Sequence, residues 1–252
     1  MSLFQRGSYT RLLAAILLML MVMPLIGHHL GHPRGLSLAF FLLVLIAALD
    51  ATQAETRTRV QVWVLGILAM LTSGVSFALR EAGVDQDNPT LNAALDVVNH
   101  GSSVAFFGIV IWLLVMRALA PGRITGARIV AAICAYLLLG LLWAEAYQAL
   151  GAVYGPVLNT AGETTYNEYV YFSFVTLTTL GYGDILPVHE GARALAYLEA
   201  VTGVLYLATL VARLVALHIA HEGLDMIVGE AVEDAFEEQA DRQDDEDETG
   251  TS

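Results

Sequence analysis

Charge is scarce in this chain, and one kind of cation is missing altogether. Only 15% of its 252 residues are charged, there is no lysine, and the twelve basic residues are all arginine. Soluble domains carry about 25% charged residues. With 56% hydrophobic residues and a positive mean hydropathy, the chain falls outside that class and reads as a polytopic membrane protein. The all-arginine bias fits an Arg- and Ala-rich coding preference and carries no functional signal by itself. A single cysteine, Cys134, excludes an internal disulfide; inside an apolar run it reads as a small residue facing lipid or a neighbouring helix. Signatures of chemistry are missing too. There is no Gly-Lys-Thr phosphate loop, no His-Glu-x-x-His and no evident intramembrane carboxylate–histidine chain. A membrane enzyme or a transporter therefore fits poorly, no cofactor is called for, and nucleic acid is not among the expected partners.

What is present is a series of apolar runs, over residues 12–30, 36–51, 60–79, 97–119, 129–150 and 192–221. A bilayer core takes about 20 helical residues at about 1.5 Å rise each, so six spans are expected in an all-α membrane fold. A signal-peptide reading of the first run fails, since no small-residue cleavage site is evident and further spans follow. The run at 166–178 is too short to span, and its aromatic, apolar content suits a re-entrant helix. A voltage sensor needs an arginine at about every third residue of its fourth span. Ser102 to Met116 holds none and Arg117 comes only at the end, so no strong voltage gating is expected. His28, His29 and His32 fall in the first loop. They read either as a metal- or pH-sensing site or as a polar interface loop, and the second is favoured because no carboxylate or cysteine stands beside them.

The arginines orient the spans. With the N-terminus inside, nine of them (Arg6, Arg11, Arg57, Arg59, Arg117, Arg123, Arg128, Arg213, Arg242) are cytoplasmic and three (Arg34, Arg80, Arg193) are outside, as the positive-inside rule requires. Both termini are then cytoplasmic, in a plasma (inner) membrane. The formal charge of −13 comes largely from Glu230 to Glu248, a self-repelling stretch expected to be partly disordered. The expected organisation is a cytoplasmic N-terminus at 1–11, a four-helix membrane domain at 12–120, a second membrane unit at 129–221 and an acidic tail at 222–252.

The most informative stretch is Thr176-Leu177-Thr178-Thr179-Leu180-Gly181-Tyr182-Gly183-Asp184. A dehydrated alkali cation needs neutral oxygens in place of its water. Backbone carbonyls supply them if the chain runs extended with every carbonyl turned one way. Gly181 and Gly183 reach the backbone angles this demands at little cost. Thr179 can add its hydroxyl at the inner end, Tyr182 can brace the strand from behind, and Asp184 places a carboxylate at the mouth.

These residues, between two long apolar runs and followed by Pro187, resemble the potassium channel superfamily, in particular bacterial six-span members of the two-helix pore ("ion channel") family. Thr179-Leu180-Gly181-Tyr182-Gly183 stands where that family has Thr-Val-Gly-Tyr-Gly, with Leu180 in place of the usual Val. The resemblance covers about residues 129–221 and implies a potassium-selective channel. Four copies would surround one axis in the bilayer, K+ would bind at Thr179, Leu180, Gly181 and Tyr182, and conduction would be passive. It further implies that Tyr171 and Phe172 form an aromatic cuff and, with Thr178, support the filter. Gly203 stands at the inner-helix hinge position, where a packing role is an equal alternative. Val175 replaces a glutamate that in some members pairs with the mouth aspartate, so that pair is absent. Glu199 is an ionisable residue inside a span, expected to bond behind the filter or across to a neighbour. Glu163, Glu168, Asp184 and Glu190 cluster outside, as a cation funnel or as ordinary solvated groups; the funnel reading is favoured only for Asp184 and, second to it, Glu190. The alternatives are a weakly selective cation channel, if Leu180 loosens the filter, and a non-conducting membrane sensor or assembly subunit that keeps the pore fold. The gating stimulus, and whether the gate lies at the filter or the inner mouth, are not specified.

Overall fold

The computed structural model describes residues 3–30, 44, 46–47, 56–81, 89–120, 125–162, 164–213 and 216. Six helices occur among them: α1 (Leu3–Leu30), α2 (Thr56–Glu81), α3 (Pro89–Ala118), α4 (Gly126–Tyr154), α5 (Tyr166–Leu177) and α6 (Glu190–Arg213). The chain divides into two compact units, Met1–Ala208 and Thr209–Ser252. In the second, the described residues Thr209 to Arg213 are helical, and the acidic tail lies outside the described residues.

Among the described residues, three helices are long and apolar enough to cross a membrane: Ala93–Ala118, Gly126–Tyr154 and Glu190–Arg213. With the shorter apolar helical stretches Ser8–Val22 and Gly66–Val75, they make this an all-helical, multi-pass membrane protein. The expected second span, at 36–51, lies outside the described residues except for Val44, Ile46 and Ala47, which are helical. The helices start and stop where local chemistry directs. Pro89 occupies the first position of α3, where its missing N–H costs nothing. The helix therefore begins eight residues before the apolar run at 97, because Ala93, Ala94 and Leu95 continue it through the polar Asn92 and Asp96. At the other end of α4, Gly155 takes φ 80° and returns its N–H to Gly151 O at 2.9 Å, satisfying a terminal carbonyl. α1 runs on to Leu30 and contains Pro24. His28 and His29 are therefore helical rather than in a loop, and His32 lies outside the described residues.

α4 is the hub. It packs against α1, α3 and α5, and α2 packs against α3. One apolar core joins α1 (Leu12, Ile16), α3 (Phe106, Leu114) and α4 (Leu138, Leu141). A second surrounds Tyr147, Tyr169 and Phe172 near the entry to α5. Cys134 is fully buried and its thiol reaches Tyr9 O at 3.7 Å, so it faces a helix and not lipid. Arg117, at the end of α3, donates to Tyr9 O–H at 2.9 Å and so ties α3 to α1. Because lipid is as apolar as leucine, such a core is held by packing rather than by transfer from water. Leu138→Ala is expected to lower unfolding free energy in detergent by about 2 kcal/mol, the low end of the soluble-core range. Ile133→Ala, on the exposed side of the same helix, should change it by less than about 0.5 kcal/mol; equal losses at both sites would refute this division of α4.

Candidate functional site: the strand after α5

The strand begins where α5 ends, so the helix sets its place. α5 is opened by a capping box: Glu168 N–H donates to Thr165 Oγ1 at 3.3 Å, and Thr165 N–H donates to Glu168 Oε2 at 2.6 Å. Glu168 is thus a helix cap, and Glu163 lies outside the described residues. At the far end Thr178 caps α5, its hydroxyl donating to Phe174 O at 2.6 Å.

Three amides then fold back onto the last turn. Thr179 N–H donates to Thr176 O at 2.9 Å, while Leu180 N–H and Gly181 N–H both donate to Val175 O at 3.0 and 3.2 Å. A trans peptide plane holds its carbonyl opposite its N–H. The carbonyls of Thr178, Thr179 and Leu180 therefore all point away from the end of α5. In a β-strand successive carbonyls alternate sides; here they share one. The backbone angles carry the same pattern forward. Thr179, Gly181 and Gly183 have φ of 59°, 59° and 78°, and no other non-glycine among the described residues has positive φ. Alternating hand at every second residue keeps successive peptide groups facing one way, as in backbone nests. Among the described residues, none of the carbonyls from Thr179 to Gly183 accepts a hydrogen bond.

The two glycines were legible as left-handed positions; Thr179 was not. A β-branched residue at positive φ is a strained outlier, of order 1–3 kcal/mol, and only the surrounding amide contacts make it visible. Leu180 lines an apolar cavity of about 360 Å³ with Met19, Leu20, Pro24, Val170 and Phe174, so its side chain sits on the α1 and α5 side of the strand. Tyr182 is 67% exposed within one chain.

The two adjacent aromatics divide their work. Tyr171 O–H donates to Asp184 at 2.7 Å, tying α5 to the far end of the strand. Phe172 is buried and meets Tyr147 of α4 edge-on, ring centroids 5.1 Å apart. It therefore anchors α5 to α4. Beyond Asp184 the chain is pinned to the loop after α4. Asn159 N–H donates to Leu186 O at 3.0 Å, Leu186 N–H to Asn159 Oδ1 at 2.5 Å, and Val188 N–H to Val157 O at 2.9 Å. Glu190 is exposed at the start of α6.

α6 passes directly behind the end of α5. A Cβ at Gly203 would overlap the Leu177 carbonyl and lie 3.0 Å from its Cδ1, so glycine is required there for close approach. The helix runs unbroken through it, so of the two readings of Gly203 the geometry favours packing. Lower down, Tyr206 O–H donates to Ala132 O at 2.6 Å. Glu199 is fully buried among Ser173 and Tyr147. Its Oε1 is 2.5 Å from Ser173 Oγ, its Oε2 accepts from Tyr147 O–H at 2.8 Å, and Ser173 Oγ is 2.7 Å from Gly140 O. The carboxyl group thus bonds behind the strand within its own chain.

One intramembrane pair was missed in the sequence. His100 of α3 and Glu145 of α4 meet at 2.8 Å, so a carboxylate–histidine pair does exist between two spans. The available signal was a glutamate inside the apolar run at 129–150. Its partner lies 45 residues away in the chain, beyond the reach of spacing.

Residues 132–219, which contain the strand, α5 and the described part of α6, match the family described as "Ion channel". The chain is also similar to the inward rectifier potassium channel Kirbac3.1 of Paramagnetospirillum magnetotacticum. The two are 37% identical over 73 residues, 29% of this chain and 23% of that protein, so the matched part spans about a quarter of the relative's length. No solved structure matches. Both matches are to channels and neither is to an enzyme.

Two outcomes follow from this geometry. Gly203→Ala is expected to destabilise the protein in detergent by about 1–3 kcal/mol through overpacking, and Gly203→Val by more; a neutral Gly203→Ala would show that α6 is free to move off Leu177. The Tyr171 hydrogen bond, aided by backbone N–H groups, holds the Asp184 carboxyl below the usual aspartate range. Whatever that bond contributes is complete above the ordinary aspartate pKa and is lost as pH falls through the lowered one. Tyr171→Phe should therefore move the Asp184 titration upward, toward the ordinary range, as read by carbon-13 NMR of labelled aspartate; an unmoved titration would mean the bond is not made in solution.

Proposed function

We propose that this protein is a potassium-selective channel that conducts passively through a pore lined by Thr179 to Gly183. The observation that carries the reading is the one-sided strand. Positive φ at Thr179, Gly181 and Gly183, with amides gathered on Val175 O, makes a ladder of unpaired carbonyls suited to replace the water of a dehydrated cation. Bare carbonyls in a membrane protein are costly unless something solvates them, and an ion or water file does so. Asp184 at the outer end adds negative charge where cations enter.

One strand is a single wall, so a cage needs several copies around an axis. A homotetramer is part of this reading, suggested by the likeness to a potassium channel, and two features support it. α6 exposes Tyr197, Val201, Val204 and Leu205, and the strand exposes Leu180 and Tyr182; in an assembly each would face a neighbouring copy. Six spans, both termini cytoplasmic and the mouth outside remain part of this reading, with the helices before α4 as a separate membrane domain. α3 carries only Arg117 in its last turn, and that guanidinium bonds Tyr9, so strong voltage gating is not part of the proposal.

A second reading, a weakly selective cation pore, draws on the exposed Tyr182 and on Leu180 in the place of valine. The reversal potential of the purified protein in a planar bilayer, with potassium on one side and sodium on the other, decides between them. A value close to the potassium equilibrium potential is expected; a value near zero would establish the weakly selective pore. Gly181→Ala, which puts a Cβ on a residue at φ 59°, is expected to abolish flux, and unchanged flux would remove the strand from the pore.

A further inference from the structure

Buried polar contacts behind the strand involve more hydrogen bonds than their side-chain hydroxyls can supply. Three short contacts link four groups: Gly140 O to Ser173 Oγ (2.7 Å), Ser173 Oγ to Glu199 Oε1 (2.5 Å), and Tyr147 O–H to Glu199 Oε2 (2.8 Å). Each contact at such a distance needs its own proton. Gly140 O is an acceptor only, Tyr147 brings one proton and Ser173 brings one. If Glu199 were a carboxylate, the serine proton would serve two acceptors at once. A shared proton gives one short leg and one long one, whereas both distances here are short. Either the Gly140 carbonyl or the carboxylate oxygen would then face a lone pair across a fully buried gap, and a buried carboxylate with no cation beside it is the costliest state of all. The titratable side chains that face Glu199 are Tyr147 and Tyr136, both on α4, while α5 presents Ser173. None of these supplies positive charge.

We propose that Glu199 is a proton-binding site, held as a neutral carboxylic acid whose Oε1–H donates to Ser173 Oγ, leaving the serine hydroxyl to donate to Gly140 O. The acid then satisfies every group in a chain running from α6 through α5 to α4. Ser173 lies two residues before Val175, whose carbonyl gathers the amides of the strand. Glu199 is therefore a positioning residue: the proton it carries joins three helices at the point from which the strand is hung. Ionising it would withdraw a donor from Ser173 and oblige the serine to choose between its two acceptors.

The test is infrared difference spectroscopy on the full chain in detergent at neutral pH. Wild type minus Glu199→Gln should show one carboxylic-acid C=O stretch that shifts in heavy water. Tyr147→Phe should move that band to higher frequency, since Oε2 loses its donor, and this variant needs no change at Glu199 should the glutamine fail to fold. A carboxylate stretch in place of the acid band, or a band that ignores Tyr147→Phe, would overturn the proposal. A second arm rests on the channel reading. Glu199→Leu should lose potassium flux in liposomes by about tenfold or more, the scale of one buried unmet hydrogen bond, and Glu199→Gln, which keeps a donor and an acceptor in place, should rescue it. An acid band without flux in any variant would sink the channel and leave the proton site standing. Flux with no acid band would do the reverse.

Discussion

Everything around the strand follows from one constraint: a peptide carbonyl in a membrane protein must be satisfied by something. From Thr179 to Gly183 the chain gives up the usual answer, pairing within a helix or sheet, and among the described residues only the amides of Thr179, Leu180 and Gly181 are paired. Two successive amides on the single carbonyl of Val175, with the Thr179 amide on Thr176 O, hold three carbonyls to the opposite side. That arrangement exists only while α5 ends in the right place and direction. The capping box at Thr165 sets where α5 begins, Phe172 against Tyr147 sets its rotation, and Gly203 lets α6 close in behind it. The strain at Thr179 is sustained by these contacts, since no local preference of threonine favours φ of 59°.

The polar groups behind the strand obey the same rule. In a medium without water each buried donor and acceptor must find its partner inside the protein. The groups of Glu199, Ser173, Tyr147 and Gly140 do so as one connected set spanning three helices. Such networks are cooperative, and a half-satisfied one is worse than an apolar core. This is the physical reason to count protons as well as distances there. The His100–Glu145 contact between α3 and α4 answers the same demand in another part of the bundle.

Much of the site was legible before any coordinates. Gly181 and Gly183 announce left-handed positions because only glycine takes them cheaply. The apolar runs announced α3, α4 and α6, with boundaries shifted by caps that hydropathy does not see, as at Pro89. The partnerships were less legible. Tyr171 and Phe172 look like one pair of aromatics in the sequence, yet helical rotation sends one to Asp184 and the other to Tyr147. Glu168 looked like one of several outer charges and is a helix cap, because its partner is the backbone of Thr165, a feature of local geometry and not of composition. Glu145 drew no notice because its partner is remote in the chain.

What the sequence by itself determined is the set of local answers: which runs are apolar enough to span, which residue types tolerate left-handed backbone, and where charge is scarce enough to matter. These depend on single residues or neighbours, so they are written in the order of the chain. What only the tertiary structure decided is which groups meet. That Thr179 shares the hand of the glycines, that Gly203 is pressed on Leu177, and that Glu199 closes a network with Ser173 and Tyr147 all depend on helices far apart in sequence arriving at one place. Packing distances and hydrogen-bond directions exist only once they do.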